Sequence, residues 1–446
     1  MALISLREYG KVHVGDEFDP VQPVFSFAQG DVLANLNSIY GVDVFKYVNR
    51  STLSAQQYVG VFQLGAHTVE VLPKIDGDDK SVRRNLVGML AVACDLVISE
   101  GDLARLANQS HGILEILIKL FCDKLFSQIH RGLVRRYEGR EENLNVLRGR
   151  LGIAEQVRVN AANPERLFCR FDEFHEDNPL NQVLRAAIRF LLGVARTLQN
   201  QRDLAELLLV FEGVSDCART ALPWHRVAFD RLSDRYKGCY KLAELFLKNS
   251  PPDVSGGRVQ GFSLFFDMNV LFEEYIGRIA QRTFGPLGYT VQLQGPLRHL
   301  VFDMDRGRPA FGMKPDVVGL RQDAVEWILD TKWKQLSLAE AKDGVSQTDL
   351  YQMHGYAHSY KCSEVVLLYP HHKGLGEGLG VRNNFLLQPW FASTGSEQPQ
   401  RRIRIVTIDL SSLKTVGAQL GSLFPTAGSA VGAGEFIRVP IVAGSF

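Results

Sequence analysis

Two aspartates and a lysine near residue 325 have the types and spacing of a metal-dependent hydrolytic site. A polar turn there is flanked by two β-type runs, at residues 315–320 and 325–331. If the runs form an antiparallel hairpin centred on Asp323, Asp316 lies opposite Asp330. Lys332 follows two residues after Asp330, so strand alternation places both side chains on one face. The sequence therefore predicts two acids and one amine converging on a point.

That arrangement suits phosphodiester hydrolysis. Side chains paired directly across two strands have Cβ atoms about 4.5–5.5 Å apart, and two carboxylates at that separation repel unless a cation lies between them. Mg²⁺ binds one or two carboxylates together with water and a substrate phosphate, and it lowers the pKa of its bound water. We therefore expect Asp316 and Asp330 to bind Mg²⁺ and the Lys332 ammonium to orient the attacking water.

Further residues are candidates for this site. The segment 347–361 is predicted to be a helix, on which Gln352 and Tyr356 are one turn apart and share a face. Upstream, a predicted helix at 269–279 carries Glu273 and Glu274, either of which is a candidate third metal ligand; Glu273 is the preferred one. The alternative for Gln352 and Tyr356 is an ordinary amphipathic helix, and the alternative for Glu273 is a solvated helix face.

Other clusters are weaker candidates. His371 and His372 precede a glycine-rich stretch, but no Gly-Lys-Ser/Thr sequence follows a strand, so we expect this chain to bind no nucleotide. His354 and His358 lack the glutamate of a His-Glu-x-x-His zinc site.

The bulk composition restricts the class of protein. A chain of 446 residues predicts two or three domains, and a net charge of +1 excludes polyanion binding by total charge alone. The six cysteines are scattered, without zinc-site or disulfide spacing. No signal peptide or membrane span is evident, so a cytoplasmic protein with no membrane partner is expected.

The chain divides into three predicted regions. A β-hairpin is predicted at 57–64 and 68–72, and apolar helical spacing predominates from about 110 to 248. Two prolines and two glycines at 249–258 mark a linker. We expect a β-rich domain at 1–105, a helical middle region at 106–255 and a catalytic domain at 256–446.

An arginine-dense stretch at 131–158 has two interpretations. It is either a solvated face paired with Glu138, Glu141 and Glu142, or a surface that contacts DNA phosphates or an acidic partner. The sequence leaves the choice between them open.

The ordered motifs resemble a known family. Asp316, Asp330-Thr331-Lys332 and the Gln352/Tyr356 pair look like the PD-(D/E)xK nuclease superfamily. The wider chain resembles McrC, the nuclease subunit of McrBC-type restriction systems. The stretches that carry this wider likeness are 59–75 (VGVFQLGAHTVEVLPKI), 147–151 (LRGRL), 174–184 (FHEDNPLNQVL) and 266–275 (FDMNVLFEEY).

The resemblance implies an α+β multidomain protein with a C-terminal PD-(D/E)xK domain, whose mixed central sheet is flanked by helices. It also implies an N-terminal domain that docks onto a separate AAA+ GTPase of McrB type and stimulates it, with Gln352 and Tyr356 beside the scissile strand. The expected substrate is double-stranded DNA containing modified cytosine, recognised through the complex. A stand-alone RecB/Cas4-like nuclease and a non-catalytic adaptor that activates the GTPase are the alternatives.

Overall fold

A computed structural model describes residues 3–16, 24–64, 67–95, 112–163, 165–250, 262–387 and 400–424. The chain divides into two compact units, Met1–Tyr275 and Ile276–Phe446. Both units mix helices and strands, as expected of an α+β protein. In the described ranges, none of the helices combines the length and the apolar character that crossing a membrane requires.

The first unit contains eleven of the described strands. They are β1 (Leu3–Arg7), β2 (Lys11–Gly15), β3 (Val24–Ser26), β4 (Phe45–Asn49), β5 (Thr52–Ala55), β6 (Tyr58–Leu64), β7 (His67–Leu72), β8 (Arg136–Leu144), β9 (Arg150–Leu151), β10 (Leu167–His175) and β11 (Ser263–Asp267). Its helices are α1 (Phe27–Tyr40), α2 (Asp79–Ala93), α3 (Ile113–Ile129), α4 (Ile153–Val159), α5 (Pro179–Val194), α6 (Leu198–Val210), α7 (Lys237–Asn249) and the first half of α8 (Met268–Phe284).

Two small sheets form the N-terminal core. The predicted hairpin is confirmed, since β6 pairs antiparallel with β7, in a sheet of order β1-β7-β6-β11. The second sheet has the order β3-β2-β5-β4. Phe62 and Phe265 of the first sheet pack against Phe45 of the second in one apolar cluster. Strand β11 lies beyond the predicted linker in sequence, yet it pairs with β6; residues 251–258 of that linker lie outside the described ranges.

The prediction of a helical middle region is wrong for residues 136–151 and 167–175. There β8, β10 and β9 form an antiparallel sheet of that order. Strand β8 carries many charged residues and buries none of its side chains. In β10 the buried Cys169 and Phe171 alternate with the exposed Arg170 and Asp172, but this alternation is too short to identify a half-buried strand by itself. The predicted helices on either side are present as α3, α5, α6 and α7.

The second unit is built on a mixed sheet. Its strands and helices, besides the end of α8, are β12 (Thr290–Leu293), β13 (Arg298–Asp303), β14 (Arg308–Met313), β15 (Val317–Arg321), β16 (Ala324–Thr331), α9 (Gln347–Ser359), β17 (Glu364–Pro370), β18 (Gly380–Leu386), β19 (Arg402–Ile408) and α10 (Leu413–Leu423). The sheet order is β12-β15-β16-β17-β19-β18. β16, β17 and β19 are parallel and the remaining pairs are antiparallel, which confirms the expected mixed sheet.

Helices cover the two faces of this sheet. On one face, Met353 and Ala357 of α9 pack against Ile328 and Val365. On the other face, Trp327 stacks on Phe424, just after α10, with ring centroids 4.5 Å apart. Helices therefore lie on both faces of the sheet, as the resemblance implied.

One glycine sets the packing of that second face. Gly319 pairs across the strands with Trp327, whose side chain is buried. A Cβ atom at position 319 would overlap the Trp327 indole. Only glycine leaves room for the ring at this point of the sheet.

We therefore predict that Gly319→Ala lowers the free energy of unfolding by about 1–3 kcal/mol, the usual cost of overpacking a core. Urea denaturation followed by near-ultraviolet circular dichroism measures this change. Gly285→Ala is the matched control, because a Cβ atom there meets no atom within 4 Å. Equal stability of the two variants would contradict the prediction.

Candidate active site

The hairpin of β15 and β16 brings the two predicted acids and the lysine together. Val317 pairs with Leu329 and Val318 with Ile328, which is the register predicted from the sequence. Continued by one residue, it sets Asp316 opposite Asp330. Since Ile328 faces α9, alternation places Asp330 and Lys332 on that same side of the sheet.

The sequence did not predict the turn geometry that gives this register. Gln322 and Asp323 both have positive φ, at 49° and 64°, as in a two-residue hairpin turn. A bulge near Gly319 then leaves Glu326 between the paired positions Val325 and Trp327. The extra residue restores the register at the acids.

Asp316 is oriented by the residue between the other two. Its Oδ2 accepts hydrogen bonds from the Thr331 backbone N–H and from the Thr331 hydroxyl, each at 2.7 Å. Burial raises the pKa of Asp316 above its ordinary value and outweighs the opposing effect of these hydrogen bonds and of the Lys332 charge. Thr331 is thus a positioning residue that sequence reasoning missed.

Asp330 is the most deeply buried charged group of the site, with 1% of its surface exposed. Burial, followed by the negative charge of Asp316, raises the pKa of Asp330 well above its usual range, although Lys332 opposes the shift. Lys332 Nζ lies 2.7 Å from Asp330 Oδ2 as an ion pair. Apart from this ion pair, no described residue satisfies that buried oxygen.

Lys332 is held as an ammonium group. Burial lowers its pKa, but the charge of Asp330 and the contact with it raise the pKa by more, so the net shift is upward. A lysine with a raised pKa cannot act as a general base near neutral pH. Its Nζ also donates to Gln352 Oε1 at 3.4 Å, so it can orient a water molecule or stabilise negative charge.

Helix α9 supplies the second wall of the site. The predicted pair is in contact, because Gln352 Nε2 donates to the Tyr356 hydroxyl at 2.7 Å. That hydroxyl in turn lies 3.4 Å from the carbonyl oxygen of Lys314, just before the acid-bearing strand. Tyr356 is buried, so it also anchors the helix to the sheet.

Asp349 is a further acid that sequence reasoning missed. It lies in the first turn of α9 and accepts a hydrogen bond from the Tyr369 hydroxyl at 3.3 Å. Its negative charge contributes to the raised pKa values of both Asp330 and Lys332. The available signal was its position three residues before Gln352, on the same side of the helix.

The donor set fits a divalent cation that has few protein ligands. The buried Asp330 and the partly buried Asp316 both have raised pKa values, and Asp330 Oδ2 has no contact that satisfies it among the described residues except the ion pair with Lys332. Within the described ranges, no three acidic, histidine or cysteine side chains form a metal-binding group. Glu273 lies on the part of α8 that belongs to the first unit, and its role as a third ligand remains a prediction.

The arginine stretch is extensively paired with acids. Arg140 and Arg148 lie 3.0 and 3.1 Å from the Glu173 carboxylate, and Arg135 lies 3.3 Å from Glu176. These acids belong to β10 and its end, not to the three glutamates predicted as partners, although Arg140 also lies 3.6 Å from Glu142. Exposed pairs of this kind contribute little to stability, and a binding role for the stretch remains a prediction.

Comparisons with known proteins show what the chain as a whole is similar to. The family model "McrBC 5-methylcytosine restriction system component" matches residues 53–370. No curated protein matches the chain. The refined half-complex from a tetradecameric assembly of Thermococcus gammatolerans McrB AAA+ hexamers with bound McrC yields a match that is 21% identical, with a TM-score of 0.66. That match covers 95% of this chain and 100% of the other, and at this identity it shows the fold alone.

A second match is to the cryo-EM structure of the Thermococcus gammatolerans McrBC complex. It is 25% identical, covers 64% of this chain and 88% of that chain, and has a TM-score of 0.51. The family model covers well over half of the chain, and the resemblance to McrC noted in the sequence is thereby confirmed. The chain belongs to the McrBC 5-methylcytosine restriction system component family.

Proposed function

We propose that this chain is the DNA-cutting subunit of a modification-dependent restriction system, with a Mg²⁺-dependent endonuclease site of the PD-(D/E)xK type. The observation that carries the proposal is the buried carboxylate of Asp330 and the partly buried carboxylate of Asp316 beside the Lys332 ammonium group on one face of the hairpin. The substrate class is double-stranded DNA that contains modified cytosine. Membership of the family supports this substrate class.

The side chains have separate roles. Asp316 and Asp330 would hold a Mg²⁺ ion, which would supply positive charge beside the phosphate and lower the pKa of water. Lys332 orients that water and offsets the negative charge that builds up on the phosphorane-like transition state. Water attacks phosphorus and the bond to the leaving oxygen breaks. Gln352 and Tyr356 contact the same region and position the scissile strand.

We further propose that a separate AAA+ GTPase of McrB type is the partner. The similar structures contain McrC bound to McrB hexamers, and the sequence of this chain contains no nucleotide-binding P-loop. The partner would recognise the modified base and this chain would cut. All six cysteines are free thiols, which fits the cytoplasmic location proposed for this complex.

The first test separates catalysis from folding. We predict that Asp330→Asn lowers the DNA cleavage rate by at least about 10²–10³-fold, as expected when a group that stabilises the transition state is removed. The melting temperature should stay equal or rise, because the variant removes a buried carboxylate whose charge is disfavoured. Asp323→Asn, at the turn of the same hairpin, is the matched control and should cut normally. Full activity of Asp330→Asn with Mg²⁺ present would refute the site.

The second test uses pH. Because the folded state raises the pKa of Asp316 and Asp330, it holds more protons than the unfolded chain. Stability of the metal-free protein must then fall as pH rises through the raised values. Mg²⁺ competes with those protons, so it should raise the melting temperature more at pH 8 than at pH 6.

Differential scanning calorimetry with EDTA or with Mg²⁺ measures this stabilisation. The Asp330→Asn variant should show neither the wild-type pH slope nor the Mg²⁺ effect. A Mg²⁺-induced rise that is independent of pH would contradict the assignment of these carboxylates as ligands.

The third test distinguishes the proposed subunit from its two alternatives. Asp316→Ala should abolish cleavage yet still stimulate GTP hydrolysis by the AAA+ partner, since the substitution changes only the predicted metal ligand. Cleavage by the wild-type chain without partner or GTP would instead indicate a stand-alone nuclease. GTPase stimulation without any cleavage by the wild-type complex would indicate a non-catalytic adaptor.

A further inference from the structure

A two-stranded ribbon stands apart from the central sheet of the second unit. It consists of β13, β14 and their turn, and its strands pair only with each other among the strands that the structure describes. Most of its residues are exposed along both strands. A small isolated ribbon contributes little to a core, so its sequence is free to serve another purpose.

The ribbon is joined directly to the candidate active site. Its second strand continues through Lys314 and Pro315 into Asp316. Its base is fixed to the end of α9, because the Tyr360 hydroxyl lies 2.5 Å from the Pro296 carbonyl oxygen and 2.9 Å from that of Met313. A substrate bound at Asp316 and Asp330 therefore also lies near the ribbon.

The exposed side chains of the ribbon are unusually apolar. Phe302 is 57% exposed, Met304 84% and Phe311 74%. Phe311 also has a φ of 56°, which is rare for a bulky residue and points to a constraint other than strand pairing. Exposed apolar clusters of this size mark binding surfaces.

Charge indicates which partner this surface fits. Residues 297–314 contain four arginine or lysine residues and two aspartates, a net charge of +2 in a chain whose total is +1. Arg308 and Lys314 are exposed. Asp303 is partly neutralised, since it accepts the backbone N–H groups of residues 305 and 306 and lies 3.9 Å from Arg306. A cationic, apolar ribbon beside a hydrolytic site matches a polyanion with stacked bases more closely than it matches a protein surface.

The dimensions also suit a duplex. Each strand has six residues, which makes the ribbon roughly 20 Å long at the usual rise. A groove of B-DNA is only about 7.5–8.5 Å deep, and the major groove admits a two-stranded ribbon. The ribbon can thus enter a groove while its base stays beside the scissile phosphate.

We propose that this ribbon binds in a groove of duplex DNA next to the cut site, with Arg308 and Lys314 on backbone phosphates and Phe302 and Phe311 against the bases. The inference rests on the proposed nuclease function. It assigns to the chain its own DNA-holding element, separate from base recognition by a partner. Apolar side chains that contact or wedge between bases act without strong sequence preference, as a cutting subunit requires.

The test places a photo-cross-linking residue, p-benzoylphenylalanine, at position 302 or 311 of the full-length Asp330→Asn chain. Position 385 is the matched control, since Phe385 is 41% exposed on β18 at the far edge of the sheet. The protein, assembled with its AAA+ partner, is irradiated with a labelled 40-base-pair methylated duplex. We expect protein–DNA adducts from positions 302 and 311 and none from position 385. Adducts only with the partner or with a second copy, or equal DNA adducts at all positions, would overturn the proposal.

A binding measurement tests the same proposal. Arg308→Gln should reduce the slope of log affinity against log salt concentration by about 1, the value expected for one lost phosphate contact. Arg402→Gln, exposed at the far side of the sheet, should leave the slope unchanged. If Asp330→Asn cleaves DNA, the proposed function fails, whereas unchanged slopes and absent adducts refute the ribbon alone.

Discussion

Burial of the Asp330 carboxylate beside the negative charge of Asp316 is the constraint on which the candidate site depends. Asp316 and Asp330 raise the cost of each other's charge in a site from which water is largely excluded. The surroundings offset that cost only in part, through the Thr331 hydrogen bonds and the Lys332 ammonium. Under the proposed function, a bound Mg²⁺ ion would offset the remaining cost, so stability and chemistry would be coupled at this point.

A single extra residue controls whether that cluster exists. A two-residue turn at Gln322 and Asp323 would by itself set Asp316 opposite Leu329. The bulge at Glu326 moves the register by one position, and a shift of one residue exchanges the two faces of a strand. Asp330 consequently faces α9, where Gln352 and Asp349 lie, and not the apolar layer around Trp327.

Local patterns predicted the hairpin, the helix α9 and the contact between Gln352 and Tyr356, because strand alternation and helical spacing fix which neighbours share a face. Other features depend on packing that no local pattern encodes. The middle sheet was missed because the charged strand β8 lacks alternation and β10 shows it only over residues 169–172. Asp349 lies near the site because α9 packs on the sheet. Thr331 contributes because its backbone N–H and its hydroxyl donate to the Asp316 carboxylate.

The anchoring of the ribbon bears on how far its sequence can vary. One hydroxyl, that of Tyr360, contacts the carbonyl oxygens of both Pro296 and Met313. Arg298 in the first strand also donates to the carbonyl oxygen of Ser359 at the end of α9. These contacts hold the base of the ribbon, whereas the turn at residues 304–307 is exposed. A change in the length or sequence of that turn can therefore alter how far the proposed DNA-holding element extends, while the base stays attached beside Asp316.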